Sequence, residues 1–135
     1  RGVHIGKNVW ISKHVYIDSV SPRAVTIMDN CIIGLNSSIL THIFGEFAGP
    51  VIIESNVFIG PHCVILPNVR IGEGAVIRAG TVVSRNVPPR TLWGIPSAGP
   101  IAHITKPLVR GQVTYEEFVA GLRPILKKRR DSTKD

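Results

Sequence analysis

The chain has 135 residues and contains no apolar run near the ~20 residues that a membrane-spanning helix needs. No integral membrane contact is therefore expected. Cysteine is scarce. Cys31 and Cys63 are the only two, too few for a disulfide framework, and buried, reduced thiols are expected. The first residues, Arg1 to Ile5, have neither the apolar stretch nor the small-residue cleavage pattern of a signal peptide, so the expected compartment is the cytoplasm. Acidic residues are few: nine Asp and Glu stand against sixteen Lys and Arg, a net charge of +7. That balance favours an anionic partner, whether nucleic acid, acidic lipid or a phosphorylated small molecule. Four of the positive charges sit together in Lys127-Lys128-Arg129-Arg130, a run read as a solvated tail. Hydrophobic residues make up 44% of the chain, which excludes global disorder.

The sequence is rich in a period. Aliphatic residues recur every six positions: Ile5, Ile11, Ile17; Ile27, Ile33, Ile39; Ile53, Ile59, Ile65; Ile71, Ile77, Val83. Four residues after most of them stands a second small or apolar group, as at Val9, Val15, Cys31, Ser37, Val57, Cys63, Val69, Ala75 and Val87. Six is neither the helical 3.6 nor the strand period of two. It fits a short strand and a tight corner, with three such sides closing one coil and coils stacking about 4.8 Å apart. Three residues after the aliphatic come Asn8, Asn30, Asn36, Asn56, Asn68, Gly74, Gly80 and Asn86, residue types that tolerate a left-handed corner. Histidine also tolerates it, and His14, His42 and His62 fall in the same column. The expected fold is an all-β solenoid, a parallel β-helix of about four triangular coils over residues 1–88. The repeat begins almost at residue 1, so a cap or further coils are expected upstream in a longer parent chain.

Two inserts break the period, one around Ser21-Pro22-Arg23-Ala24 and one at about 43–52, directly after His42. Inserts leave a solenoid as loops on one face, often the binding face. After Pro88 the repeat fades. Pro89, Pro96, Pro100 and Pro107 predict an extended return segment over 89–113. Thr114 and Glu117 predict a capping box, opening a C-terminal helix and basic tail over 114–130 that Pro124 shortens or kinks. The helix has an apolar stripe of Phe118, Val119, Leu122, Ile125 and Leu126.

Thr41-His42, the insert, Gly49-Pro50-Val51-Ile52-Ile53, the run from Asn56 to Pro67, the run from Ile77 to Pro88 and Gly94-Ile95-Pro96-Ser97-Ala98 resemble the hexapeptide-repeat acyltransferases. The likeness covers about residues 5 to 105 and is nearest the galactoside and maltose O-acetyltransferase-like branch. It implies a left-handed β-helix, an exception to the right-handed crossover rule. It also implies a homotrimer with active sites in the clefts between subunits, acetyl-CoA as co-substrate, no metal, and a sugar or saccharide hydroxyl as acceptor. Residue by residue, His42 matches the catalytic histidine. Asn36, Phe58 and His62 fall on the substrate side. Gly60, Ala79, Ser84, Arg85, Arg90 and Pro96 fall along the CoA path. Gly99 stands where the family carries Arg or Lys, and Arg90 or Lys106 is a replacement phosphate contact.

The chemistry fits a histidine base. Imidazole titrates near 6.5 and accepts a proton at neutral pH. A thioester is already activated, so acyl transfer needs a base beside the acceptor hydroxyl and a donor for the oxyanion. Glu46 is a carboxylate able to orient a histidine. Three alternatives stay open. His42 is a corner residue like His14 and His62; the chain is a non-catalytic scaffold; or it is a trimeric zinc enzyme of carbonic-anhydrase type, which needs three converging histidines. No nucleic-acid partner is expected.

Overall fold

The computed structural model describes residues 2–18, 20–95 and 99–125, and divides into two compact units, Arg1–Pro96 and Ser97–Asp135. No helix among the described residues is long and apolar enough to cross a membrane.

The first unit is the expected solenoid. Coil one comprises β1 (His4–Ile5), β2 (Trp10–Ile11) and β3 (Tyr16–Ile17). A 3-10 turn (Pro22–Ala24) leads to coil two: β4 (Val25–Ile27), β5 (Ile32–Ile33) and β6 (Ser38–Ile39). A hairpin of β7 (His42–Ile43) and β8 (Glu46–Phe47) interrupts before coil three: β9 (Val51–Ile53), β10 (Phe58–Ile59) and β11 (Val64–Ile65). Coil four is β12 (Arg70–Ile71), β13 (Val76–Ile77) and β14 (Val82–Val83), and β15 (Leu92–Trp93) follows. The three faces are parallel sheets, in the orders β1-β4-β9-β12, β15-β13-β10-β5-β2 and β14-β11-β6-β3.

Register explains the hexad. Ile11, Ile33, Ile59, Ile77 and Trp93 lie in line on the second face, and the other faces stack their aliphatics in the same way. From coil two upward these isoleucines are fully buried, whereas Ile5 and Ile11, on edge strands, are 48% and 37% exposed. Cys31 and Cys63 are buried free thiols, each donating to a carbonyl of the coil above, Glu54 and Arg78 respectively; burial raises the pKa of both.

The corners behave as the column predicts, with informative exceptions. Asn8, Asn30, Asn36, Asn56, Asn68, Gly74 and Gly80 all have positive φ, as do His14 (59°) and His62 (58°). Asn86 and His42 do not. Asn86 instead accepts the Arg70 N–H at 2.8 Å. One corner carries a side-chain ladder: Asn8 donates to Asn30, Asn30 to Asn56 and Asn56 to Glu73, which also holds Arg90 through two hydrogen bonds.

The sheet carries on past Pro88. Val87 bridges to Ile71, and Leu92–Trp93 pairs with Val76–Ile77. This turn takes sixteen residues rather than eighteen, so the apolar residues slip out of the six-residue column and the coil is hidden from a period search. The second insert also ends earlier than the expected 52, since Val51 and Ile53 are buried core residues of β9.

In the second unit, β16 (Ala102–Ile104) pairs antiparallel with β17 (Leu122–Pro124), joined through α1 (Tyr115–Ala120). The capping box forms: Thr114 Oγ1 accepts from the Glu117 N–H while the Glu117 carboxylate accepts from the Thr114 N–H. The helix is shorter than its apolar stripe suggests. Gly121 closes it, its N–H returning to Glu117, and Leu122 and Pro124 belong to a strand. The basic run 127–130 lies outside the described residues.

Coil spacing leaves no room for a side chain at two corners. A Cβ on Gly34 would lie 2.5 Å from the carbonyl carbon of Gly60 and from Pro61 N. One on Gly60 would lie 2.7 Å from Ala79 N. Gly34→Ala is therefore expected to cost about 1–3 kcal/mol, read as a lower urea midpoint at unchanged m-value.

Candidate active site

Both inserts leave the solenoid at the same corner, between the third face and the first, in adjacent coils. The first runs from Asp18 to the 3-10 turn, the second from Thr41 through the β7–β8 hairpin. The tip of that hairpin, Phe44-Gly45, has φ of 52° and 76°, the two-residue turn that matches strand twist. His42 opens the hairpin, and Phe47, opposite it, sets its ring edge-on at 5.8 Å between centroids.

A buried carboxylate holds His42. Asp18 is 3% exposed, and its Oδ2 lies 2.8 Å from His42 Nδ1. The same oxygen accepts the Thr41 N–H at 3.0 Å, while Oδ1 accepts the Val20 N–H at 2.9 Å. Burial alone would raise the pKa of Asp18. The donors from Thr41, Val20 and His42 outweigh it and hold the carboxyl well below the usual range. Asp18 is thus ionised at neutral pH and only accepts. Nδ1 must therefore carry a hydrogen, and Nε2 is the acceptor nitrogen of that tautomer. Thr41 Oγ1 is 3.0 Å from Nδ1, and Ser21 Oγ of the first insert is 3.5 Å from Nε2. The arrangement holds the imidazole by Nδ1 and turns Nε2 away from the carboxylate.

The sequence reading missed Asp18 and named Glu46. Glu46 stands on the exposed strand of the hairpin, paired with Ile43. Asp18 carried a legible signal: it follows an inward isoleucine where the equivalent places in later coils are Leu40, Leu66 and Ser84, and it directly precedes an insert.

The other nominated residues fall at separate places. His14, Asn36, His62 and Gly80 stack in the corner between the second and third faces, with Asn36 N–H to Lys13 O, His62 N–H to Leu35 O and Gly80 N–H to Pro61 O. Within one chain this corner is not the one that bears His42. Phe58 points outward from the second face, 42% exposed. Gly60 is accounted for by coil spacing. Ala79, Ser84 and Arg85 come together: with Thr81, Leu92 and Trp93 they line a cleft of about 560 Å³. There the Arg85 guanidinium lies 5.2 Å over the Trp93 ring. Trp93 was not foreseen, for it belongs to the displaced fifth coil. Arg90 is not in this cleft; it is engaged by Glu73 in the asparagine ladder. Lys106 belongs to the second unit, and Pro96 lies outside the described residues. Among the described residues no three His, Cys, Asp or Glu side chains are grouped to hold a metal.

Comparison with known proteins agrees with the repeat. Residues 50–85 match the bacterial transferase hexapeptide family (six repeats). A Staphylococcus aureus 2,3,4,5-tetrahydropyridine-2,6-dicarboxylate N-acetyltransferase is 44% identical over 78 residues, 58% of this chain and 31% of that protein. A hexapeptide-repeat acetyltransferase of Vibrio cholerae, complexed with acetyl coenzyme A, is similar at TM-score 0.59 and 30% identity, over 66% of this chain and 53% of that one. A galactoside acetyltransferase in complex with coenzyme A gives TM-score 0.51 and 29% identity, over 69% and 61%. The chain spans about half or less of the length of the curated relatives it matches.

Asp18 ties the site to pH. Its folded-state pKa is depressed below the ordinary value of about 3.9. The stability it contributes is therefore complete above that value and is lost as pH falls through the folded-state value. Asp18→Asn turns an acceptor into a donor against buried N–H groups and is expected to cost about 1–3 kcal/mol at pH 7. In thermal unfolding, the gap between variant and wild type is expected to stay constant above about pH 5 and to close as pH is lowered toward 2.

Proposed function

We propose that the chain, whose residues 50–85 match the hexapeptide transferase family, is an acetyl-CoA-dependent O-acetyltransferase acting on a sugar or saccharide hydroxyl, with His42 as general base. The observation that carries this reading is the Asp18–His42 pair, which leaves Nε2 as the free proton acceptor. Nε2 takes the acceptor hydroxyl proton as the oxygen attacks the acetyl carbonyl of the thioester. The tetrahedral adduct collapses, and the proton on Nε2 leaves with the CoA sulfur. Asp18 remains ionised and stabilises the transient imidazolium.

The cleft of Ala79, Ser84, Arg85 and Trp93 supports a donor site. It offers an apolar wall, a hydroxyl and a guanidinium of the sort that pairs with phosphate. Asn36, Phe58 and His62 are assigned to the acceptor side. They reach a base on another corner only if clefts form between copies, so the reading includes a homotrimer. The outer side of the second face supports that assembly: Trp10, Ile32, Phe58, Val76 and Leu92 stand in register, apolar and each at least 38% exposed. Gly60, Arg90 and Pro96 are assigned to the CoA path by the resemblance; Gly60 also meets the coil spacing and Arg90 also pairs with Glu73.

The likeness to a galactoside acetyltransferase favours a sugar acceptor. The likeness to an N-acetyltransferase favours an amine as the second reading, and the same base serves both. An acceptor screen across sugars, amino sugars and amino acids separates them.

Acetyl-CoA and CoA are expected to raise the Tm of wild type and of His42→Ala saturably, by the equivalent of about 2.7 kcal/mol at a hundredfold excess over Kd. Turnover in His42→Ala is expected to fall about 10²–10⁴-fold. No ligand-induced shift in the folded wild type would leave a scaffold, and full turnover in the variant would remove His42 from the mechanism. Sedimentation is expected to give a trimer, and a monomer would leave no shared cleft.

A further inference from the structure

The first insert adds a third group to the Asp18–His42 pair. Ser21 Oγ lies 3.5 Å from His42 Nε2, and this is the only hydrogen-bond partner its side chain has among the described residues. Ser21 precedes the 3-10 turn Pro22–Ala24, yet its hydroxyl makes no capping bond there; the turn is closed by its carbonyl, which accepts the Ala24 N–H at 3.0 Å. The hydroxyl is thus not consumed by local structure. It is partly exposed, sits on an insert rather than in the core, and faces Nε2, the imidazole nitrogen turned away from Asp18. The order carboxylate, imidazole, hydroxyl is that of a nucleophilic triad, which is recognised by geometry rather than by position in the chain. The separation is at the long limit of a hydrogen bond, as is common before substrate tightens a site.

We propose that Asp18, His42 and Ser21 act as a serine-nucleophile triad, giving the protein a second activity: hydrolysis of activated acyl esters and thioesters through an acyl-Ser21 intermediate. The proposal shares His42 with the transferase reading but does not need its CoA cleft. Ser21 Oγ attacks the acyl carbonyl carbon while its proton passes to Nε2. The adduct collapses, the bond to the leaving oxygen or sulfur breaks, and the leaving group takes the proton from Nε2. Water then attacks the acyl-serine, again giving a proton to Nε2. The ester bond to Ser21 breaks, its oxygen recovers that proton, and the carboxylic acid departs. No oxidant, metal or further reactant enters the balance.

The placement also says when this path runs. A bound acceptor hydroxyl competes with Ser21 for the same Nε2 lone pair. Acylation of Ser21 is therefore a reaction of the acceptor-free protein, and added acceptor suppresses it.

The test uses p-nitrophenyl acetate, an activated ester with no CoA portion, on the full chain without acceptor. Wild type is expected to release p-nitrophenol with a burst and to gain the mass of one acetyl group that maps by peptide sequencing to Ser21. Ser21→Ala and His42→Ala are expected to lose the adduct and about a hundredfold or more of the hydrolysis. Ser21→Cys keeps a nucleophile in place and is expected to acquire the acetyl group as a thioester. Thermal unfolding checks that each variant is folded. Equal hydrolysis by wild type and folded Ser21→Ala, or an acetyl group mapped elsewhere, would overturn the triad. Because the ester needs no CoA site, that result stands apart from the transferase reading, whose own failure is the absence of CoA-induced stabilisation.

Discussion

Stacking in register is the constraint on which everything else in the first unit depends. Each coil can bury its inward residues only by lying directly over the coil below, so Ile33, Ile59 and Ile77 occupy one line and the hydrogen bonds run coil to coil. The spacing admits no Cβ at Gly34 or Gly60 and forces the backbone into the left-handed region at most corners. Asparagine meets that demand and adds a ladder of side-chain bonds where three of them align. An extra residue cannot be absorbed within a side. It must leave at a corner, which is why both inserts emerge as loops rather than as distorted strands.

That constraint also builds the site. Because both inserts leave at the same corner in adjacent coils, residues 24 apart in sequence are brought into contact: Asp18 at the end of one coil and His42 at the end of the next. The carboxylate is buried under the hairpin and satisfied by two backbone N–H groups, so its charge is kept and directed at one imidazole nitrogen. The scaffold supplies rigidity beneath, and the inserts supply the polar atoms above it. An imidazole placed in this way depends little on side-chain freedom, since Thr41 and Phe47 also contact the ring.

The solenoid was legible in the sequence because one inward residue per six is a physical requirement of the fold, repeated often enough to be seen over both inserts. His42 stood out because an insert follows it, and its backbone differs from that of His14 and His62. Those two occupy left-handed corners, whereas His42 sits on a strand. The pairing of Asp18 with His42 was not legible, because the partner lies in the next coil and the number of residues between coils is set by inserts of unequal length. Trp93 was hidden for a related reason: a shortened fifth coil moves it out of the hexad column, although it stands in register over Ile77. Arg90 has a partner that the sequence pattern does not show, Glu73, which holds it through two hydrogen bonds.

The most direct measurement of the central claim is a crystal structure of the protein grown with CoA. The account predicts CoA in a cleft between two copies, its thiol within hydrogen-bonding reach of His42 Nε2 and its phosphates toward Arg85. CoA bound away from His42, or the Asp18–His42 contact broken in the complex, would contradict it.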